Sequence, residues 1–170
     1  MGHQTFWAFC LLACVMVTSL AEGFRERAKC PEEAIYYRRI CYEPVYRSLS
    51  WAEAEIECQN LRSGGHLATL RTAAVEKIVS SHFRRFSTGV EAWVGLHAVP
   101  TPTKLIWEWI DGTTYSAGSV LWDSRAPSTS VSNYPCISLY NINSAGATAR
   151  WIYRACSTAL PFICKYRASS

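Results

Sequence analysis

Hydrophobic and polar residues follow patterns along the chain that predict strands first and then a helix. The stretch from Ala34 to Ser48 is rich in β-branched and aromatic residues, which is typical of one or two strands. After it, Trp51, Ala54, Cys58 and Leu61 recur at helical spacing. The spacing therefore predicts that a helix follows the first strands.

The first helix has clear start and stop signals. Ser50 with Glu53 three residues later forms a capping box, and the glycine pair that begins at Gly64 ends the run. Glu53, Glu55 and Glu57 lie on this helix. We interpret them as a solvated, charged helix face rather than a catalytic pair of carboxylates, because such faces are usually solvated.

The rest of the pattern predicts one more helix and several short strands. The second helix begins near Thr72, because apolar residues share one face at Val75, Ile78, Val79 and Phe83. Residues 112–135 are crowded with Ser, Thr, Gly and Pro and predict a long loop. Two early helices and a later cluster of strands predict a single α+β domain. The later strands are expected at Ala92–Leu96, Ile106–Gly112, "CISLY", "ARWIY" and "FICKY".

The N-terminus carries an uninterrupted apolar run from Phe6 to Thr18, too short to span a membrane. Small residues follow it, which is typical of a signal peptide cleaved after Ala21. We therefore predict a signal peptide over 1–21, a charged mobile tail over 22–29 and the domain over 30–167. The mature chain is expected to be secreted and extracellular, with no membrane span.

Cysteine content agrees with that compartment. Of the eight cysteines, Cys10 and Cys14 leave with the predicted signal peptide, so six remain. An even number of cysteines in a secreted chain predicts three disulfides, for which spacing alone allows 15 connectivities. Neither a Cys-x-x-Cys pair nor a Cys/His cluster occurs at zinc spacing, so a zinc site is not predicted.

Several short motifs occur in an order that resembles a known family. A Cys-bearing helix is followed by "HLATL", "WVGL", "WEWIDG" and then by cysteines flanking a Trp before "PFICKY". This order is similar to the C-type lectin-like domain in its long form, over roughly Cys30 to Tyr166. The resemblance implies two helices with short antiparallel sheets and a long loop. It also implies the disulfides Cys30–Cys41, Cys58–Cys164 and Cys136–Cys156.

Sugar-binding members of this family hold calcium through two motifs that are altered here. Four residues after Trp122, Ala126 and Ser128 flank the proline where the family has side-chain ligands. In the second motif, Ile152 and Tyr153 replace an amide and a carboxylate. Because calcium takes 6–8 oxygen ligands, several of them anionic, we predict no calcium site, no metal and no cofactor.

Charge is distributed unevenly along the chain. Residues 1–123 carry 12 basic and 13 acidic side chains, whereas residues 124–170 carry five basic and no acidic ones. This excess of positive charge favours an anionic partner such as an anionic glycan or a microbial cell wall, although separated cations are also typical of an ordinary solvated surface. The candidate binding residues are Arg125, Arg150, Arg154 and Tyr153.

Within the family, the chain resembles the regenerating-protein group, through "WVGLH" and "RAPST". We therefore predict a calcium-independent recognition protein for anionic glycans or microbial and extracellular surfaces. The alternative is a module that binds another extracellular protein or assembles matrix. Neither a nucleophile signature nor a nucleotide fingerprint occurs, so no enzyme activity is predicted. Nucleic-acid binding is not expected, because the net charge of +4 is modest.

Overall fold

The computed structural model describes residues 29–86, 91–115, 122, 135–140 and 149–169. Within these ranges the chain folds as the predicted α+β domain, with two helices and a sheet. The predicted signal peptide over 1–21 and the tail residues 22–28 lie outside the described residues. The elements are β1 (Ile35–Tyr37), β2 (Ile40–Leu49), α1 (Trp51–Leu61), β3 (His66–Leu67), α2 (Ala73–Phe86), β4 (Glu91–Pro100), β5 (Leu105–Trp109), β6 (Cys136–Tyr140), β7 (Arg150–Arg154) and β8 (Leu160–Arg167).

The described strands join in one sheet in the order β1-β2-β8-β4-β6-β7, with β3 paired to β8 and β5 paired to β4. The strand pairs are antiparallel as expected, except that β4 and β8 run parallel where Trp93 lies opposite Phe162. A parallel pair needs a long connection, and the segment containing β5, β6 and β7 supplies it. The last strand, β8, therefore lies between β2, near the start of the domain, and β4, in its middle.

The hairpin between β1 and β2 turns on two arginines. Arg38 and Arg39 have positive φ angles of 50° and 68°, between the paired residues Tyr37 and Ile40. Two-residue hairpins with positive φ at both central positions favour Asn and Gly, because a side chain crowds the backbone there. The Arg38 guanidinium lies over the Tyr37 ring at 5.3 Å, which partly offsets this strain.

Exchanging this turn for Asn-Gly tests the strain. The variant Arg38→Asn/Arg39→Gly is expected to raise the free energy of unfolding by about 1 kcal/mol, measured by urea denaturation. The matched control is Arg84→Asn/Arg85→Gly inside α2, where glycine should lower it by about 1 kcal/mol. A turn variant less stable than the parent would show that the Arg38 contact outweighs the backbone strain.

Helix α1 begins at the predicted capping box. The Ser50 hydroxyl accepts a hydrogen bond from the Glu53 amide at 3.4 Å, and the Glu53 carboxylate accepts one from the Ser50 amide at 3.0 Å. Glu55, however, is only 6% exposed, so its interpretation as part of a solvated face is wrong. Its carboxylate accepts from the Leu67 amide at 2.8 Å and lies 2.7 Å from Nδ1 of His66. A buried carboxylate needs such partners, and Glu55 thereby joins α1 to β3.

Helix α2 also begins where the pattern placed it. The Thr72 hydroxyl accepts a hydrogen bond from the Val75 amide at 3.3 Å. Val79 and Phe83 of the predicted apolar face are buried against the sheet, and the Phe83 ring lies 6.1 Å from that of Tyr46 on β2. The apolar stripe of α2 thus covers the end of the sheet formed by β1 and β2.

The core between α1 and the sheet contains two buried tryptophans whose indole groups are both satisfied. Trp51 of α1 donates to the Val94 carbonyl at 2.8 Å, and Trp93 of β4 donates to the Leu49 carbonyl at 2.9 Å. Buried indole nitrogens need acceptors of this kind. Each indole therefore ties an early segment of the chain to β4 as well as filling the core.

Three disulfides join the described segments, and they are the pairs that the resemblance implied: Cys30–Cys41, Cys58–Cys164 and Cys136–Cys156. Their sequence separations are 11, 106 and 20 residues. The second bond ties α1 to β8, and the third joins β6 to the segment after β7. Lys29, the last residue of the predicted tail, forms a β-bridge with Ser169 and directly precedes Cys30 of the first disulfide.

One carboxylate connects three of the sequence motifs. Asp111, from "WEWIDG", forms an ion pair with Lys165 of "PFICKY" and accepts a hydrogen bond from the Thr69 hydroxyl of "HLATL" at 2.9 Å. Burial by itself would raise the pKa of Asp111, but hydrogen bonds from Lys165 and Thr113 hold that pKa below its ordinary value. The charged form thus contributes stability at neutral pH that is lost as the pH falls through the lowered pKa.

Candidate functional site

Aromatic side chains from β5, β7 and the segments near the long loop form one cluster, called here the aromatic cluster. The Trp122 ring lies 5.3 Å from that of Tyr153 and 6.4 Å from that of Trp107. The Trp122 indole also donates a hydrogen bond to the Tyr115 hydroxyl at 2.6 Å. The cluster consists of Trp107, Trp109, Tyr115, Trp122, Trp151 and Tyr153.

The second calcium motif of the family falls inside this cluster. Trp151 is buried, and Tyr153 is half-buried with its ring 5.7 Å from that of Trp107. An aromatic ring therefore occupies the position where sugar-binding relatives carry a carboxylate. Among the residues that the structure describes, no group of three or more His, Cys, Asp or Glu side chains is placed to hold a metal ion.

The first calcium motif and one of the binding candidates lie in a part of the chain that the structure does not describe. Arg125, Ala126 and Ser128 are all outside the described residues. Their predicted roles stay predictions that rest on the sequence. The described part of the candidate site is therefore β7 with the aromatic cluster.

Strand β7 separates the remaining candidates. Alternate residues of a strand point to opposite faces of the sheet. The register between β6 and β7 is continuous from Cys136 opposite Arg154 to Tyr140 opposite Arg150. Arg150 and Arg154 therefore share one face, whereas Tyr153 belongs to the other face together with the aromatic cluster. The three predicted binding residues on β7 therefore do not form a single surface.

Arg154 is also engaged by a carboxylate. Its Nε and Nη2 atoms donate to Glu91 at 2.6 and 3.0 Å, and the Ser138 hydroxyl donates to the same carboxylate. The Glu91 side chain is 9% exposed and that of Arg154 is 36% exposed. The hydrogen bond to Glu91 raises the pKa of Arg154 above its ordinary value. The pair joins β4, β6 and β7, and it offsets one of the positive charges on this face.

The sequence gives no local signal for the Glu91 network. Glu91 and Arg154 are 63 positions apart, and Ser138 lies within the apolar segment "CISLY". A charged residue directly before the buried strand "AWVGL" is the only hint, because burying a carboxylate requires a partner.

The histidines occupy structural positions. His66 contacts Glu55, and Nε2 of His82 lies 2.7 Å from the Glu33 carbonyl oxygen. Burial lowers the pKa of His97, which keeps its ring neutral at physiological pH. None of the three lies in the aromatic cluster.

A comparison with known protein families assigns the chain to one of them. The lectin C-type domain family matches residues 47–166, from the end of β2 through β8. The chain belongs to the C-type lectin domain family. This lectin-type chain has the helices, the sheet and the three disulfides expected from the motif order.

Its relatives include lithostathines and a snake lectin. It is 32% identical to lithostathine of Rattus norvegicus over 94% of this chain and 96% of the relative. It is 30% identical to C-type lectin BfL-1 of Bungarus fasciatus over 97% and 98%. The crystal structure of human lithostathine superposes with a TM-score of 0.67 at 30% identity, over 84% of this chain and 94% of that one. The resemblance to the regenerating-protein group is thus confirmed.

Family membership also settles the broad class of activity. The related proteins are non-enzymatic recognition proteins, so this lectin-type chain is a recognition protein rather than an enzyme. Its fold class implies recognition of carbohydrate or protein. Within the described ranges, neither helix has the length and apolar character needed to cross a membrane.

Proposed function

We propose that this lectin-type chain is a secreted, calcium-independent recognition protein that binds anionic glycans on extracellular or microbial surfaces. The observation that carries the proposal is the replacement of the second calcium motif by Ile152 and Tyr153, with the Tyr153 ring packed against Trp107 and Trp122. Ile152 carries no side-chain oxygen and Tyr153 carries a phenol in place of a carboxylate, whereas calcium takes several oxygen ligands, many of them anionic.

The proposed contact surface is the face of β7 that carries Arg150 and Arg154. This strand lies at the end of the sheet order, so one of its edges has no paired strand among the described residues. Arg150 is half-buried, and residues 124–170 carry five basic and no acidic side chains. Arg125 belongs to the same basic segment, and its sequence position in the long loop supports a place in this proposal.

One observation favours the alternative of a protein-binding or matrix-assembly module. Glu91 neutralises Arg154, which lowers the positive charge of the β7 face. With less charge, long-range attraction of an anionic partner is weaker. Heparin retention, described next, distinguishes glycan binding from protein binding.

The mature protein is expected to be retained on immobilised heparin in EDTA, and to elute as salt rises, because salt screens contacts between exposed charges. Arg150→Ala should lower the salt concentration of elution. The matched control, Arg71→Ala, removes an exposed arginine between β3 and α2 and should change it less. Absence of retention at low salt would favour the protein-binding alternative, and retention only with added calcium would overturn calcium independence.

A further inference from the structure

A cavity of about 460 Å³ lies where the first and last described segments meet. Three cationic side chains line it, those of Lys29, Arg62 and Arg167, together with the hydroxyl residues Ser63 and Ser169. None of the eight described residues that line it is acidic. This space is called here the terminal cavity.

Backbone contacts hold the walls of the terminal cavity in place. The Lys29 amide donates to the Ser169 carbonyl at 3.0 Å, and the Ala168 amide donates to the Arg39 carbonyl at 3.0 Å. The Cys30–Cys41 disulfide fixes the same segment to β2. Two of the three cations, Lys29 and Arg167, are therefore carried by backbone that is paired. The pairing fixes where these two exposed side chains leave the backbone, so binding has to order only the side chains themselves.

Arg62 is oriented by contacts of its own. Its guanidinium lies 5.6 Å from the centre of the Tyr166 ring, and Nη1 donates to the Leu61 carbonyl at 3.0 Å. A guanidinium has five N–H donors in one plane, more than these contacts use. Its remaining donors are thus available at a cavity that Arg62 helps to line.

Tyr166 adds no negative charge to the cavity. Its hydroxyl donates to the Glu43 carboxylate, which is not among the lining residues. Burial, followed by this hydrogen bond, raises the pKa of Tyr166 to about 12, so the phenol stays neutral at physiological pH. The Glu43 carboxylate is engaged by that hydrogen bond.

We propose that the terminal cavity is a binding site for tetrahedral oxyanions of the sulfate and phosphate class. Such anions accept several hydrogen bonds at once, and bonds from arginine and lysine are among the strongest in proteins. The volume exceeds that of a bare anion, so a sulfate ester carried on a sugar also fits the space. This site is distinct from the proposed β7 face, because β4 and β6 lie between β8 and β7 in the sheet.

The test is a titration of the mature protein followed by backbone amide NMR shifts, with ionic strength held constant by sodium chloride. Sodium sulfate and N-acetylglucosamine 6-sulfate are the probes, and N-acetylglucosamine is the uncharged counterpart. Saturable shifts are expected at Ser63 and Ser169 with both charged probes. Tighter binding of the sulfated sugar would assign the site to a sulfate ester, and equal binding would assign it to the free anion.

The double variant Arg62→Gln/Arg167→Gln should weaken binding about tenfold or more, since charge-assisted hydrogen bonds are lost. Arg71→Gln is the matched control and should leave the sulfate titration unchanged. Circular dichroism melting verifies that each variant is folded; if the double variant is not, the single changes replace it. Linear shifts spread over the surface, or equal affinity in the cavity variants and the parent, would overturn the site. Neither result would affect heparin retention through Arg150, so the two proposals fail separately.

Discussion

Replacing Cys58 and Cys164 together with alanine is expected to lower the free energy of unfolding by about 4 kcal/mol. The bond closes a loop with a sequence separation of 106 residues, for which the chain-entropy model gives up to ~4.7 kcal/mol. Both cysteines are fully buried beside Trp93 and Phe162. Loss of the bond therefore also disturbs packing at the centre of the domain, between α1 and β8.

Urea denaturation of the two alanine pairs Cys58/Cys164 and Cys30/Cys41 provides the comparison. The second pair closes a loop with a separation of only 11 residues, and the same model gives about 3 kcal/mol for it. The first variant should therefore lose more stability than the second. Equal losses would indicate that the unfolded chain retains structure that already brings α1 near β8.

Local patterns in the sequence were sufficient to predict the elements. The capping box at Ser50 and the apolar stripe that ends at Phe83 are contained within one helix each, so neighbouring residues specify them. The alternation in "IWEWIDG" likewise predicted β5, where Trp107 and Trp109 are buried and Ile106 is exposed. These patterns depend only on short sequence separations.

Contacts between segments far apart in the sequence could not be predicted from local patterns. Asp111 and Lys165 are 54 positions apart, and only the sheet order shows that they meet. The disulfide pairing had the same difficulty, since spacing alone left 15 connectivities open and the family resemblance supplied the choice. The parallel pairing of β4 with β8 was also missed, because no local pattern encodes a strand's direction relative to a distant neighbour.

The candidate site contains features that local sequence predicts and others that depend on contacts between distant segments. The absence of a calcium site stays a prediction from the family resemblance, because Ile152 and Tyr153 stand where calcium-binding members carry an amide and a carboxylate. The separation of Tyr153 from Arg150 was contained in the predicted strand "ARWIY", whose alternation places them on opposite faces. Arg154 lies one residue beyond that predicted strand and joins it in the structure. The pairing of Arg154 with Glu91 could not be predicted, because it depends on which strands are neighbours of β7.

Arg154→Ala is expected to lower the free energy of unfolding by about 3 kcal/mol, the lower end of the range for breaking a buried ion pair. Glu91 would remain nearly buried, with only the Ser138 hydroxyl as a described partner. The lower end applies because the Arg154 side chain is 36% exposed, so water reaches part of the site. Urea denaturation measures the effect, and Arg71→Ala, at an exposed position, should change stability by less than about 0.5 kcal/mol.

A second change distinguishes a lost ion pair from lost packing. Glu91→Gln added to Arg154→Ala should recover part of the stability, because a buried amide costs less than an unpaired carboxylate. No recovery would mean that the Arg154 side chain acts mainly by covering β6 and β7. Since Arg154→Ala weakens the fold of the β7 face itself, reduced heparin retention by that variant would not identify a binding residue. Arg150→Ala leaves the Glu91 pair intact, and comparing its heparin retention with its own free energy of unfolding separates binding from stability.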